Sequence, residues 1–459
     1  MGGEKHPDGV STVPATAEDL ETYARASQEL AAFRSPVLVS DARPHERLYL
    51  AAFDGTGNSM LHDEPERHTN VARIYQQVEQ LNDSGVDTIR GGYVEGVGTQ
   101  GGWSGLWDQM TGRTYDPRLE EMYLQFVRQA HEWMLKDPGA EVRLATIGFS
   151  RGGEQAAGFT RLVEERGIQN PVGAVIERDR HGLITSATYP GPPLRAPGSV
   201  VQAVGLFDPV GTGEPRDHDR RPPPAVVSGF QIWAADEFRD LFKGTYILDP
   251  GATADGRFLS VRVAGAHSDI GRGYALDGLG IRSGNLMIDY LNSLSDRPFL
   301  QKAEEPTDPR RNVIHRSEEH LFIYRTSIHD RTGERGHVDL LAPPALCRID
   351  CRDAEPRNEV MAAGLTWRPV AIGPVPPGMA AQIEALPHVS MVGRLLEAAR
   401  EGDIAKVERL TRDHAASAEG QAWLQRGQAQ LQEAERSGPP QPGLQVPVQQ
   451  APAQPTMVY

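Results

Sequence analysis

One segment constrains this chain more than any other. The run Arg143-Leu144-Ala145-Thr146-Ile147 leads straight into Gly148-Phe149-Ser150-Arg151-Gly152, and Gly153-Glu154-Gln155-Ala156-Ala157 follows. It reads as a short apolar strand, a turn bracketed by glycine, and the first turn of a helix. The pattern Gly-x-Ser-x-Gly alone is weak in a chain with 48 glycines among 459 residues, so its context decides. That context pushes the serine hydroxyl out at the end of a strand. It also sets it at a helix N-terminus, where partial positive charge favours developing negative charge.

The same alternation recurs along the chain. A strand over 47–53 stops at Asp54-Gly55-Thr56-Gly57, and Val71, Ile74, Val78 and Leu81 behind an N-capping Thr69 predict a helix over 70–81. A strand over 87–94 feeds a glycine-rich loop at 95–102. Further helices are expected over 119–135, 153–165 and 285–294, with strands over 142–147, 201–207 and 259–264. Strands alternating with helices predict an α/β fold, with a mostly parallel hydrolase-like sheet covered by helices on both faces. In such sheets chemistry gathers beyond the carboxyl ends of the strands.

We expect a loose N-terminal arm over 1–45 with a helix at 17–33, and a catalytic domain over 46–345. A mostly helical extension at 346–436 and a disordered Pro/Gln-rich tail at 437–459 would follow. The proline-rich stretch 213–224 reads as a surface insertion. A net charge of -15 excludes nucleic acid as a partner, and any membrane contact would use apolar insertion rather than a basic patch. No apolar run is long enough to span a bilayer, and residues 1–12 lack the pattern of a cleavable signal. The expectation is a cytoplasmic protein, or one exported without such a signal. Cys347 and Cys351, the chain's 2 cysteines, are expected as free thiols one helical turn apart, with a local bridge as the alternative. No metal site and no cofactor are expected.

A serine hydroxyl needs a base, and the base needs an acid to hold its tautomer. Two later strand ends supply them: Gly205-Leu206-Phe207-Asp208 and Gly265-Ala266-His267-Ser268-Asp269. Ser150, Asp208 and His267 are the expected nucleophile, acid and base. Asp269 is an alternative acid, and His315, His320, His329 and His337 are reserve bases. The oxyanion hole is expected from the backbone of Arg151 and of Gly55 or Thr56, with Asp54 tying that loop down. An Asp-Gly-Thr strand end also occurs in phosphatases that attack with an aspartate two residues earlier, but Ala52 stands there. Trp103, Trp107 and Trp233 are candidates for a lid or lipid-contacting element, with core packing as the competing reading.

Taken together, Phe53-Asp54-Gly55-Thr56-Gly57-Asn58, Thr69-Asn70-Val71, Gly96-Val97-Gly98-Thr99, Gly148-Phe149-Ser150-Arg151-Gly152, Gly205-Leu206-Phe207-Asp208 and His267-Ser268-Asp269-Ile270-Gly271 form an ordered set. Over residues 46–300 it resembles the catalytic domain of bacterial type VI secretion lipase effectors of the first phospholipase class. The resemblance implies a phospholipase delivered by secretion machinery to the membranes of target bacteria. It also implies a cognate immunity protein at home and a phospholipid or other lipid ester as substrate. Its nucleophile, acid and base fall on Ser150, Asp208 and His267. Two departures reshape loops at the site: Pro209 where that family has threonine, and Arg272 where it has a third glycine. A soluble esterase or thioesterase, or a catalytically idle binding module of the same fold, are the competing functions.

Overall fold

The computed structural model describes residues 7–55, 58–60, 63–96, 114–211, 213–239, 242–306, 308–319, 335–338, 340–347 and 349–373. Its centre is a seven-stranded sheet. In chain order the strands are β1 (Glu46–Phe53), β2 (Ile89–Val94), β3 (Glu141–Phe149), β4 (Gln202–Phe207), β5 (Val226–Ala234), β6 (Gly251–Ala252) and β7 (Phe258–Val263). Their spatial order is β6-β7-β5-β4-β3-β1-β2. All neighbours are parallel except the two-residue edge strand β6, which runs antiparallel to β7.

Helices cover both faces. They are α1 (Ala17–Ala32), α2 (Asn70–Asp83), α3 (Tyr115–Lys136), α4 (Arg151–Arg166), α5 (His267–Gly271) and α6 (Gly278–Ser293). Leu30 of α1, Val71, Ile74 and Val78 of α2 and Met287 of α6 share one apolar core with alternate residues of the sheet. Phe126 and Trp133 of α3 and Phe159 of α4 fill the other. Because successive strand residues point to opposite faces, Leu48, Leu50 and Ala52 enter the first core while Tyr49, Ala51 and Phe53 enter the second. A strand buried on both faces reads as a continuous apolar run, which is how β1 looks in sequence. At α2, the Thr69 side chain accepts from the Ala72 amide, as the expected N-cap.

Three findings depart from expectation. The N-terminal region is docked rather than a loose arm: Thr12–Pro14 pairs with Val313–His315, and Arg34–Val37 pairs with Thr366–Pro369. Chain from both sides of the expected boundaries at 45 and 345 therefore meets in one body. The stretch 213–224 is not simply a surface insertion, since Arg220 is fully buried, donating to Glu154 Oε2 at 2.7 Å. Cys347 and Cys351 form a disulfide instead of two thiols, with Cα atoms 5.5 Å apart. The segment is a turn, not a helix: Cys347 N–H donates to Pro343 O, and Asp350 at φ 43 folds the chain back. Of the expected mostly helical extension at 346–436, the described part holds one helix of 5 residues, Glu359–Ala363, and the strand Thr366–Pro369; the rest of it and the tail lie outside the described residues. Among the described residues, no helix is long and apolar enough to cross a membrane.

Candidate functional site

Strand register brings the site together. Phe53 of β1 lies beside Gly148 of β3, and Phe149 of β3 beside Phe207 of β4. The residues that follow these strands, Asp54, Ser150 and Asp208, therefore emerge at one level of the sheet. Ser150 N–H donates to Phe207 O at 3.0 Å, and Val210 N–H donates to Ser150 O at 3.2 Å. The serine is thus pinned to the strand end that carries Asp208.

Ser150 has φ 59 and ψ -128, a backbone conformation costly for any residue but glycine. It occupies the N-cap of α4, yet its side chain makes no capping hydrogen bond. The usual occupation of a serine at that position is therefore missing. The bracketing glycines are needed for close approach. A Cβ on Gly148 would collide with the Gly152 backbone, and one on Gly152 would meet Phe53 O and lie 2.5 Å from Asp54 O. Backbone atoms cannot rotate away, so Gly152→Ala should destabilise the fold by about 3 kcal/mol, measured by denaturant unfolding. A loss below ~1 kcal/mol would mean that β1 and α4 are less tightly packed than this contact requires.

His267 is the first residue of α5, four residues past β7. Its Nδ1 lies 2.5 Å from Asp208 Oδ2, and both side chains are almost completely buried. Phe149, the residue before Ser150, stacks on the His267 ring at 4.6 Å, and Phe242 meets that ring edge-on at 5.1 Å. The structure thus brings Ser150, Asp208 and His267 to one place. Burial pushes the Asp208 carboxyl up, but Arg335 and His267 outweigh it and hold the group below its usual range. Burial lowers His267, and this outweighs the opposing pull of Asp208 and Glu237. An ionised Asp208 only accepts, so neutral His267 carries its proton on Nδ1 and a lone pair on Nε2.

Two of the reserve residues are committed elsewhere. Asp269 and His315 pair with each other, Oδ1 to Nδ1 at 2.5 Å, and Asp8 Oδ2 lies 3.2 Å from His315 Nε2. Both ring nitrogens of His315 are occupied. Burial lowers this imidazole, but the two carboxylates prevail and raise it to about 9. The result is a buried imidazolium that ties strand residue His315 and the N-terminal Asp8 to the helix carrying His267. His337 is exposed, 5.7 Å from the Tyr246 ring. His320 and His329 lie outside the described residues.

Asp54 ties down its loop as expected. Its carboxylate accepts from Gly55 N–H at 2.7 Å, Thr69 Oγ1 at 2.8 Å and Tyr93 OH at 2.6 Å. Burial, only partly offset by these donors, raises it to about 6. The Gly55 amide is therefore already engaged, leaving Thr56 as that loop's expected oxyanion donor. Thr56 lies outside the described residues, as do Trp103 and Trp107. Trp233 does not belong to a lid: it is buried at 4% exposure in β5, where its ring packs 4.2 Å from Tyr246. Arg272, standing at the expected glycine position, has φ 67 and is held by Asp277.

Sequence reasoning missed Arg335. Its guanidinium grips both oxygens of Asp208, with Nη2 to Oδ2 at 2.9 Å and Nη1 on Oδ1. It also missed Glu237 and Arg239, a buried pair beside His267 whose Oε2 lies 3.4 Å from the His267 amide nitrogen. Neither cation follows a strand pattern, so no local signal marked them. Among the described residues no cluster of His, Cys, Asp and Glu is arranged to hold a metal ion.

A mostly parallel sheet under helices on both faces, with polar side chains gathered at its carboxyl edge, makes this an α/β protein compatible with a hydrolase-like fold. Residues 47–177 match the family model described as the catalytic domain of Tle1-like phospholipase effectors of the type VI secretion system. Among solved structures, the chain is similar to a Tle1 effector bound to the VgrG spike of that system, at 19% identity and TM-score 0.32, covering 50% of this chain and 51% of that one. It is also similar to an uncharacterized protein from Pseudomonas aeruginosa, at 15% identity and TM-score 0.33, covering 67% of this chain and 53% of that one. The chain thus spans about half the length of these structures. A comparison with curated proteins returns no match.

Proposed function

We propose that this protein is a serine-dependent lipid esterase, a phospholipase of the A type that cleaves a carboxylic ester. The observation that carries the reading is Ser150, held at φ 59 on a strand-to-helix turn beside the buried His267–Asp208 pair. Strain of this kind persists where surrounding structure enforces it, and it gathers at functional sites. In the proposed reaction Ser150 Oγ attacks the ester carbonyl while His267 Nε2 takes its proton. The tetrahedral oxyanion is held by the Arg151 amide and a donor from the loop after β1, with Thr56 the expected one. His267 then hands the proton to the departing alcohol, leaving an acyl-enzyme. Water repeats the sequence and releases the fatty acid.

The phospholipid substrate rests on the family match over residues 47–177. By the same reading the protein is an effector exported by a type VI system to act on the membranes of target bacteria. A cognate immunity protein would protect the producer. The experiment is fatty acid release from labelled phospholipid vesicles, compared with turnover of a soluble short-chain ester. Release from vesicles supports the lipid reading. Turnover of the soluble ester alone overturns it in favour of a non-lipid esterase. No turnover of either makes the chain an idle relative of the fold.

A further inference from the structure

The strip around Arg335 enters the site from outside the strand-and-helix rhythm, and it brings a charge. The Arg335 side chain is buried to 1% exposure, and its two Nη atoms fill one acceptor position on each Asp208 oxygen. It also donates to Ala234 O at 3.2 Å and to Phe242 O at 2.9 Å, and it lies 5.2 Å from the Trp233 ring centroid. His267 is therefore held on two sides by groups that Arg335 holds in turn. Asp208 grips its Nδ1, and the Phe242 ring meets it edge-on.

The charges facing His267 from the packed elements balance. Asp208 comes from the end of β4, Glu237 and Arg239 from the chain after β5, and Arg335 from the strip before residue 336. On its own helix, Asp269 is absorbed by His315 and Asp8. Two carboxylates and two guanidiniums thus gather about the His267–Asp208 pair, with Arg335 reaching it through Asp208. Without one guanidinium the pocket would carry net negative charge, and a buried negative charge draws a proton to the nearest base.

We propose that Arg335 is a positioning residue for the acid–base pair: its fork fixes both oxygens of Asp208, and its charge offsets the negative field that would otherwise protonate His267. The proposal rests on the serine-hydrolase reading. It deepens that reading by explaining how the base stays neutral beside a fully buried carboxylate. An arginine suits the role better than a lysine, because its planar fork meets both carboxylate oxygens at once.

The test uses the full chain with Arg335→Gln, which removes the charge, and Arg335→Lys, which keeps it. In a Ser150→Ala background, NMR titration of the His267 imidazole needs no turnover. Arg335→Gln should raise that titration by about one unit or more, and Arg335→Lys should leave it within about half a unit of the parent. With Ser150 intact, the acid limb of kcat/KM on a short-chain ester should move by the same amount in Arg335→Gln only. An unmoved His267 in Arg335→Gln overturns the proposal and leaves Arg335 a structural ion pair. Should Arg335→Gln fail to fold, Arg335→Lys decides: a lower kcat with the limb in place supports the proposal, and a limb displaced by about one unit overturns it. Absence of ester turnover in the parent protein sinks the hydrolase reading instead, and the NMR arm still reports whether Arg335 governs His267.

Discussion

Replacing Ser150 with alanine should lower ester turnover by about 10⁴-fold or more, to the level that binding and oxyanion stabilisation alone supply. The hydroxyl is the only atom removed, and it makes no capping bond whose loss would unsettle α4. A second substitution separates chemistry from architecture. At φ 59 and ψ -128 a side chain costs about 1–3 kcal/mol, and glycine relieves most of it. The added chain entropy of glycine in the unfolded state takes back about 0.5–1 kcal/mol. Ser150→Gly should therefore be as inactive as Ser150→Ala yet more stable than the parent protein by about 1 kcal/mol. Initial rates on a short-chain ester and guanidinium unfolding measure the two effects. Turnover surviving either substitution removes Ser150 from the reaction. A Ser150→Gly protein less stable than its parent would show that the elbow is not a place of stored strain.

The strand ends were legible because a parallel sheet writes its strands as short apolar runs, and the glycines at their ends mark where backbones come close. Asp208 and His267 followed from that pattern, 59 residues apart yet joined by one short hydrogen bond. Arg335 did not follow. It reaches Asp208 across 127 residues, from a stretch where the alternation has faded. Strand β5 was hidden for a different reason: Ser228, Gly229 and Gln231 interrupt its apolar run. Gln231 tolerates burial because its amide donates to Thr245 O and accepts from Leu248 N–H, both at 3.0 Å. Ser228 likewise accepts from Tyr290 OH at 3.1 Å. With that strand unread, Trp233 stood as a lid candidate with core packing as the competing reading. The Asp8–His315–Asp269 cluster has the same character, since its three members come from three distant parts of the chain. Local pattern reveals the scaffold, whereas side chains that fix one another's charge are visible only after folding.

Asp208→Asn should harm activity and stability together. Every acceptor position of this carboxylate is taken. Oδ1 receives Ala234 N–H at 2.9 Å and Arg335 Nη1, while Oδ2 receives His267 Nδ1 at 2.5 Å and Arg335 Nη2 at 2.9 Å. An asparagine must place its NH₂ in one of those positions. Facing His267, it opposes Nδ1–H and drives the proton to Nε2, which removes the lone pair that the proposed reaction needs. Facing Ala234, it sets two buried donors against each other and keeps the tautomer at the expense of the fold. In both orientations Arg335 loses its counter-charge in a buried place. The expected losses are about 10⁴-fold in kcat/KM and about 3–5 kcal/mol in unfolding free energy. The pH dependence carries a separate mark. Because folding holds the Asp208 carboxyl below its usual range, its stabilising contribution is complete above the unfolded value and is lost as pH falls through the folded one. That part of the acid unfolding curve should vanish in Asp208→Asn. A variant that loses stability but keeps turnover within about tenfold would make Asp208 a partner of Arg335 alone, and His267 would then need another acid.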